Sequence, residues 1–248
     1  MKPAFSYYGG KQKIAKRIVE LLPEHKCYVE PFCGGAAVLF AKPPSFNEVL
    51  NDTNGRIVNF FKVLRDQPDD LIRKIQLTPY SRREHYDARN VSADNVDDAR
   101  RWYCDVQQGF LNKPRSGWLA TPAANCAKKV KMSADRLADV AQRVASVHVE
   151  NVDAEKCIKQ WDSKDTLFYV DPPYPSTDQG HCRGFSQGDF ERLIEQLSGI
   201  KSRAVLSCYP NDAVPKSWQR VEIKTNCSAS SRATGNREPR VECVWITP

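Results

Sequence analysis

An α/β fold built on a parallel sheet is what this chain predicts. Short apolar runs of strand composition alternate with stretches whose apolar residues recur at helical spacing, and several runs end on glycine or aspartate. At 248 residues, with 41% hydrophobic and 27% charged side chains, the chain can bury a sizeable core as one large domain or one domain with an insertion.

The elements follow in order. Gly10 to Leu22 reads as a helix: Ile14, Ile18, Leu21 and Leu22 share a face, Lys and Arg fill the other, and Pro23 stops it. Cys27 to Phe32 reads as a buried strand that runs into the small residues Cys33-Gly34-Gly35-Ala36-Ala37 and then a helix through Val38, Leu39 and Phe40. Phe46 to Leu50 is the next strand, ending at Asn51-Asp52, before a helix carrying Ile57, Val58, Phe61 and Leu64. From about Thr78 to Met132 basic and aromatic residues interleave, as in Tyr80-Ser81-Arg82-Arg83 and Lys113-Pro114-Arg115-Ser116-Gly117-Trp118, and Pro and Gly break the periodicity. We read 78–132 as an insertion, with 1–77 and 133–248 forming the main domain. A helix over Ser133 to Ala145, a strand at Val147 to Val149 and the strand Thr166 to Val170 resume the alternation. A helix from Gln187 to Leu197, a strand at Arg203 to Ser207 and a final pair, Val221 to Thr225 and Val241 to Ile246, complete it.

The formal charge of +7 has the sign expected of a protein that meets a polyanion. No apolar stretch approaches the ~18 residues needed to span a bilayer, and the first residues lack the apolar core of a secretion signal, so no membrane role and a cytoplasmic location are expected. The nine cysteines are scattered without a Cys-x-x-Cys pair, which favours reduced, buried thiols. His181-Cys182 is the one adjacent pair of soft ligands and nothing nearby completes a set, so no metal site is expected.

Asp171-Pro172-Pro173-Tyr174 carries the chemistry. A carboxylate at the end of a buried strand is held in place by two prolines, and the prolines contribute carbonyls without N–H donors. Asp171 and the Pro172 carbonyl can accept both hydrogens of a planar amino group, and Tyr174 can stack on the ring that bears it. Glu30-Pro31-Phe32-Cys33-Gly34-Gly35 lies at a strand-to-helix turn, where open α/β sheets bind ligands. Asp52 closes the next strand 18 residues after Gly34, near the separation at which an acidic residue commonly takes the hydroxyls of a ribose. The turn lacks a G-x-G-x-x-G pattern, so a nucleoside without phosphates suits it better than a dinucleotide.

Tyr7-Tyr8-Gly9-Gly10-Lys11, then the Gly34 turn, then Asn51-Asp52, an insertion and Asp171-Pro172-Pro173-Tyr174 resemble, in that order, the Dam-like (D12 class, alpha-group) DNA adenine-N6 methyltransferases. The resemblance runs from about Ser6 to Ile246. It implies a Rossmann-like class I methyltransferase sheet with an inserted target-recognition subdomain, S-adenosyl-L-methionine as methyl donor and no metal. It also implies that Tyr7 and Lys11 help enclose the donor, that Glu30, Phe32 and Gly34 surround its methionine part, that Asp52 takes its ribose and that Asp153 meets its adenine. Asp171, Pro172 and Tyr174 would be catalytic, with Asp171 also bordering the donor. Ala36 stands where the family often has glycine, and the insertion lacks the Arg-Tyr-Asn…Gly-x-Phe-Asn hairpin of members that recognise GATC; Phe110-Leu111-Asn112-Lys113 only echoes it.

The activity so implied is methylation of adenine N6 in double-stranded DNA, with the base extruded from the duplex. Arg82, Arg83, Lys113, Arg115, Arg232 and Arg237 are the residues expected to contact DNA, mostly at phosphate. A monomer or weak dimer is expected. Cytosine-N4 methylation, RNA methylation and a catalytically silent DNA-binding module remain as alternatives; the last would be marked by a degraded Asp171 motif or a lost Asp52, and both are intact.

Overall fold

The computed structural model describes residues 1–175, 184–225 and 240–248. In chain order it begins with α1 (Ala15–Val19), β1 (Cys27–Glu30), α2 (Ala37–Ala41), β2 (Asn47–Asn51), α3 (Gly55–Asp66) and α4 (Pro68–Leu77). Next come α5 (Arg82–Asp87), α6 (Asn95–Gln107), a 3-10 turn (Phe110–Asn112), α7 (Cys126–Ala134) and α8 (Leu137–Val144). Then follow β3 (His148–Glu150), α9 (Ala154–Trp161), β4 (Thr166–Val170), α10 (Gln187–Ser198), β5 (Arg203–Cys208), β6 (Gln219–Thr225) and β7 (Arg240–Ile246).

The strands form one seven-stranded sheet in the order β3-β2-β1-β4-β5-β7-β6. The first five run parallel, and β7 is antiparallel to both β5 and β6. This is the Rossmann-like α/β sheet expected from the sequence, with an antiparallel hairpin completing one side.

Alternation along each strand sends side chains to two separate cores. Tyr28, Leu50, Leu167, Tyr169, Val205 and Val244 belong to the cluster that holds Phe5, Phe40, Phe60 and Phe61. Val29, Val49, Phe168, Val170, Leu206 and Trp245 join the opposite cluster with Ile158, Phe190 and Leu193. Helices α1, α2 and α3 therefore cover one face, and α9 and α10 the other. Complete burial of such a Phe or Leu contributes about 1.5–3 kcal/mol, so both faces hold the sheet together.

Local signals explain where the helices begin. The Asn54 side chain accepts from the Arg56 N–H to cap α3, and Ser186 with Asp189 forms a capping box for α10. Residues 78–132 share the first core, because α6 contributes Val96, Ala99, Trp102, Tyr103 and Val106 to it.

Several boundaries depart from the expected ones. The first helix is Ala15–Val19 and not Gly10–Leu22: the Gly10 N–H donates to the Tyr7 carbonyl at 3.0 Å, and that turn aims Lys11 inward. The helix expected over Ser133–Ala145 is two, since the apolar stripe Leu137, Val140, Ala141 and Val144 belongs to α8, while α7 buries Ser133 and Ala134. Helices α4, α5, α6 and α9 have no counterpart among the expected elements.

Candidate active site

Strands β1 and β4 are neighbours, yet the chain winds from β1 toward β2 on one side and from β4 toward β5 on the other. Their carboxyl ends therefore border a topological switch point, where such sheets open a crevice. The Gly34 turn follows β1 and Asp171 follows β4, so the fold brings both predicted motifs to that crevice.

Asp171 is held by charge. The Lys11 ammonium lies 2.7 Å from Oδ1 and 2.8 Å from Oδ2, and 3.7 Å from Glu242 Oε1 on β7. Burial works against the Lys11 charge, but Asp171 and Glu242 outweigh it and hold its pKa above the ordinary lysine value. Tyr174 donates its hydroxyl toward Asp171 Oδ1 at 3.1 Å and to Glu242 Oε1 in a shorter contact. Its ring lies 5.0 Å from the Lys11 nitrogen and meets Tyr209 edge-on at 4.8 Å. Burial, and then the Lys11 and Asp171 charges in opposite senses, leave the Glu242 carboxyl above its usual range. Pro172 is buried.

The turn after β1 is shaped by conformation. Gly34 has φ +47°, and a Cβ there would stand 3.2 Å from the Tyr7 ring, so Tyr7 packs directly on the glycine. Ala36 also adopts a left-handed conformation, φ 52°, at the start of α2. Asp52 ties this turn to β2: Oδ2 accepts from the Gly34 N–H at 3.0 Å and Oδ1 from the Asn54 N–H at 2.9 Å. Desolvation raises the Asp52 pKa. Phe32 meets Phe185 edge-on at 6.0 Å, which closes the crevice from the α10 side.

Glu30 lies beneath the turn. Only 2% exposed, it accepts from the Tyr28 hydroxyl at 2.9 Å and from the Leu39 N–H at 2.8 Å, and burial pushes its carboxyl up to about 8. Asp153 caps α9 by accepting from the Glu155 N–H at 2.9 Å. Asn51, given no role by the sequence, is fully buried: its amide donates to the Pro31 carbonyl at 2.9 Å and the Val152 carbonyl at 3.0 Å, while its oxygen accepts from the Val152 N–H at 3.0 Å. It clamps the β1 turn to the turn before α9. Glu242 was also missed; a lone acid in an apolar strand gives no sign of partners that distant in sequence.

The expected DNA residues are dispersed around a small hairpin. Gly109 and Trp118 pair antiparallel, and the Phe110 N–H donates to the Gly117 carbonyl at 2.7 Å. Asp105, fully buried, receives the Arg115 N–H at 3.0 Å, which holds Arg115 at φ 57°. Arg82 stacks 4.8 Å over Trp118, Arg83 is exposed beside Asp87, and Lys113 lies 5.3 Å over the Tyr8 ring. The Tyr8 N–H donates to the Asn112 carbonyl at 3.2 Å, docking this hairpin against the segment that carries Lys11. Arg232 and Arg237, with the His181-Cys182 pair, lie outside the described residues.

Among the described residues no three His, Cys, Asp or Glu side chains are grouped to hold a metal ion, and no helix is long and apolar enough to cross a membrane. The described cysteines are free thiols, and burial pushes those at Cys104, Cys157 and Cys208 up to about 12.

Curated proteins similar to this chain are methyltransferases by name. Type II methyltransferase M1.LlaDCHI of Lactococcus lactis subsp. cremoris is 25% identical over 238 residues, covering 87% of this chain and 82% of that protein. Type II methyltransferase M.MjaIII of Methanocaldococcus jannaschii is 26% identical over 282 residues, covering 95% and 96%. A DNA N-6-adenine-methyltransferase of Escherichia phage P1 is 40% identical over a shorter stretch of 68 residues, 27% of this chain and 9% of that protein. The family model of the D12 class N6 adenine-specific DNA methyltransferases matches residues 7–227, from the Tyr7 turn through both crevice motifs to two residues beyond β6. The chain therefore belongs to the D12 class N6 adenine-specific DNA methyltransferase family.

Proposed function

We propose that the crevice between β1 and β4 is where this enzyme methylates adenine, with Asp171, Pro172 and Tyr174 receiving the base and the Gly34 turn and Asp52 receiving S-adenosyl-L-methionine. The observation that carries the reading is the arrival of both motifs at one switch point, each at the carboxyl end of its strand. The donor suits the residues present. Asp52 is oriented by two backbone N–H groups and keeps lone pairs for the ribose hydroxyls. Tyr7 on Gly34 and Phe32 on Phe185 supply apolar walls, Lys11 closes the crevice at its Asp171 end, and Asp153 contacts the adenine end from the turn after β3. Glu30 acts from below, keeping the turn in shape.

When bound, the donor supplies a methyl group made electrophilic by a sulfonium. The adenine amino group is a poor nucleophile because its lone pair is delocalised into the ring. Asp171 and the Pro172 carbonyl accept its two hydrogens and favour a pyramidal nitrogen whose lone pair is free. With the amine so held, N6 would take the methyl group while the electron pair of the broken bond stays on sulfur, and Asp171 would receive one N6 proton. Positioning supplies much of the acceleration. A paired adenine cannot reach the end of a sheet strand, so the base leaves the duplex and stacks on Tyr174. Residues 78–132 face DNA as the target-recognition unit, with Arg82, Arg83, Lys113 and Arg115 on its phosphates. The enzyme acts in the cytoplasm as a monomer or weak dimer, and its chemistry requires no metal.

The test is Asp171→Ala. Methyl transfer to unmethylated DNA should vanish while calorimetric donor binding persists, and nucleoside digests of wild-type product should contain N6-methyladenine. Turnover by the variant would overturn the assignment.

A further inference from the structure

Asp171 faces two claimants. Its oxygens lie 2.7 and 2.8 Å from the Lys11 ammonium, and in the proposed reaction they also accept the adenine amino group. An ammonium held there occupies the space of the incoming amine and places positive charge beside a nitrogen that itself becomes positive as it attacks. Lys11 therefore needs somewhere else to go. Glu242 supplies it: Oε1 is 3.7 Å from the Lys11 nitrogen, and about one ångström of movement brings the pair into hydrogen-bond range.

Glu242 is otherwise out of place. It is 6% exposed in a strand whose neighbours are Val241, Cys243 and Val244, and it pairs across the sheet with Ile223. A carboxylate there is costly to bury, and an apolar side chain would suit the sheet better. Its hydrogen bond from the Tyr174 hydroxyl gives it a second task, because a phenol has one proton and donates fully to one acceptor at a time. With that proton directed to Glu242, the Asp171 oxygen is left for the base.

We propose that Glu242 is a positioning residue for methyl transfer: it is the counter-ion onto which Lys11 swings when Asp171 takes the adenine amino group, and it anchors Tyr174 by the hydroxyl meanwhile. The inference rests on the adenine site described above. It makes the pair Lys11–Asp171 a resting contact and the pair Lys11–Glu242 the working one. Burial and the Asp171 charge raise the Glu242 pKa and Lys11 lowers it, as expected for an acid whose charge is kept by one lysine.

The experiment compares wild type, Glu242→Gln and Glu242→Asp as full chains, with DNA from cells lacking adenine methylation and saturating donor. Glu242→Gln keeps an acceptor for Tyr174 but removes the charge that receives Lys11. Its kcat should fall about tenfold, the effect of removing one charge-assisted hydrogen bond, with melting temperature and donor affinity unchanged. Glu242→Asp keeps the charge and should recover most of that activity. Wild-type kcat in Glu242→Gln would overturn the proposal. So would equal losses in both variants, or losses matched by lower melting temperature or donor affinity, since those mark a purely structural acid. If wild type itself places no methyl group on adenine, the reading of the site fails first, and the two failures are distinct.

Discussion

Replacing Asn51 by alanine should destabilise the protein and loosen its donor site together. The residue is fully buried and makes three hydrogen bonds, at 2.9, 3.0 and 3.0 Å, to the main chain of Pro31 and Val152. Alanine leaves two carbonyls and one N–H without that partner. Each missing bond costs about 1 kcal/mol net, and more where water cannot reach the group left behind, so the total is roughly 3–5 kcal/mol. For a chain of this size about 1 kcal/mol lowers the melting temperature by roughly 2–4 °C, which gives a drop of about 6–20 °C. The clamp also sets the separation of Asp52 and Asp153 through the turns on either side, so donor affinity measured on the surviving folded protein should fall. Asn51→Asp should be no better, because its second oxygen would face the two carbonyls that the amide now satisfies. Calorimetric melting with donor titration measures both effects. An Asn51→Ala protein melting within about 2 °C of wild type would refute the accounting, since even two of the three bonds predict more.

Gly34→Ala should lower the melting temperature through the left-handed backbone, φ +47°, at about 1–2 kcal/mol, and weaken donor binding through the Tyr7 ring 3.2 Å from the new Cβ. Gly9→Ala shares the backbone cost at φ +77° but meets open space, so equal donor affinities in the two variants would remove the Tyr7 packing from the explanation. Glu30, raised from 4.5 to about 8, binds a proton in the folded chain that the unfolded chain has released. The resulting stabilisation is complete below about pH 4.5 and is lost as pH rises toward 8, so wild-type stability should decline over that window more steeply than that of Glu30→Gln. Equal slopes in denaturant titrations would contradict it. Arg83→Gln with Lys113→Gln should weaken DNA binding at all sequences and reduce the slope of log affinity against log salt by about 1 for each phosphate no longer neutralised. An unchanged slope would take both residues off the phosphates.

Most of the sheet was legible because the strands are apolar on both faces, and β4 matches its expected span of Thr166 to Val170. Helix α10 was equally clear, with Ser186 capping and Phe190, Leu193, Ile194 and Leu197 at helical spacing. Helix α4 carried signals too, Pro68 at its first position and Asp69 and Asp70 in its first turn, but its buried stripe is only Leu71 and Ile75. Helix α9 was hidden by its own cap: Asp153 drew a ligand assignment, and an aspartate that begins a helix looks in sequence like one that binds a nucleoside. Asp171 and Gly34 stood out because each sits in a contiguous motif at the end of a strand, and the fold brings the two to one crevice. Lys11 stood out in sequence within the Tyr7-to-Lys11 motif, whereas its bond to Asp171 did not, because Gly10 turns where helical periodicity was extended through it. Glu242 and Asn51 act through partners made adjacent only by the fold.

The position of β7 has a consequence for biosynthesis. It lies between β5 and β6, both of which precede it in the chain, so the sheet cannot close until residues 240–246 slide into a gap between strands already made. Until then β5 presents an unpaired edge, and Glu242, the acid that we infer takes Lys11 from Asp171, has not arrived. A nascent chain still missing that strand already carries the Gly34 turn and Asp171, but not the acid proposed to free Asp171 for the base. On that inference the adenine site becomes competent only once β7 is in place.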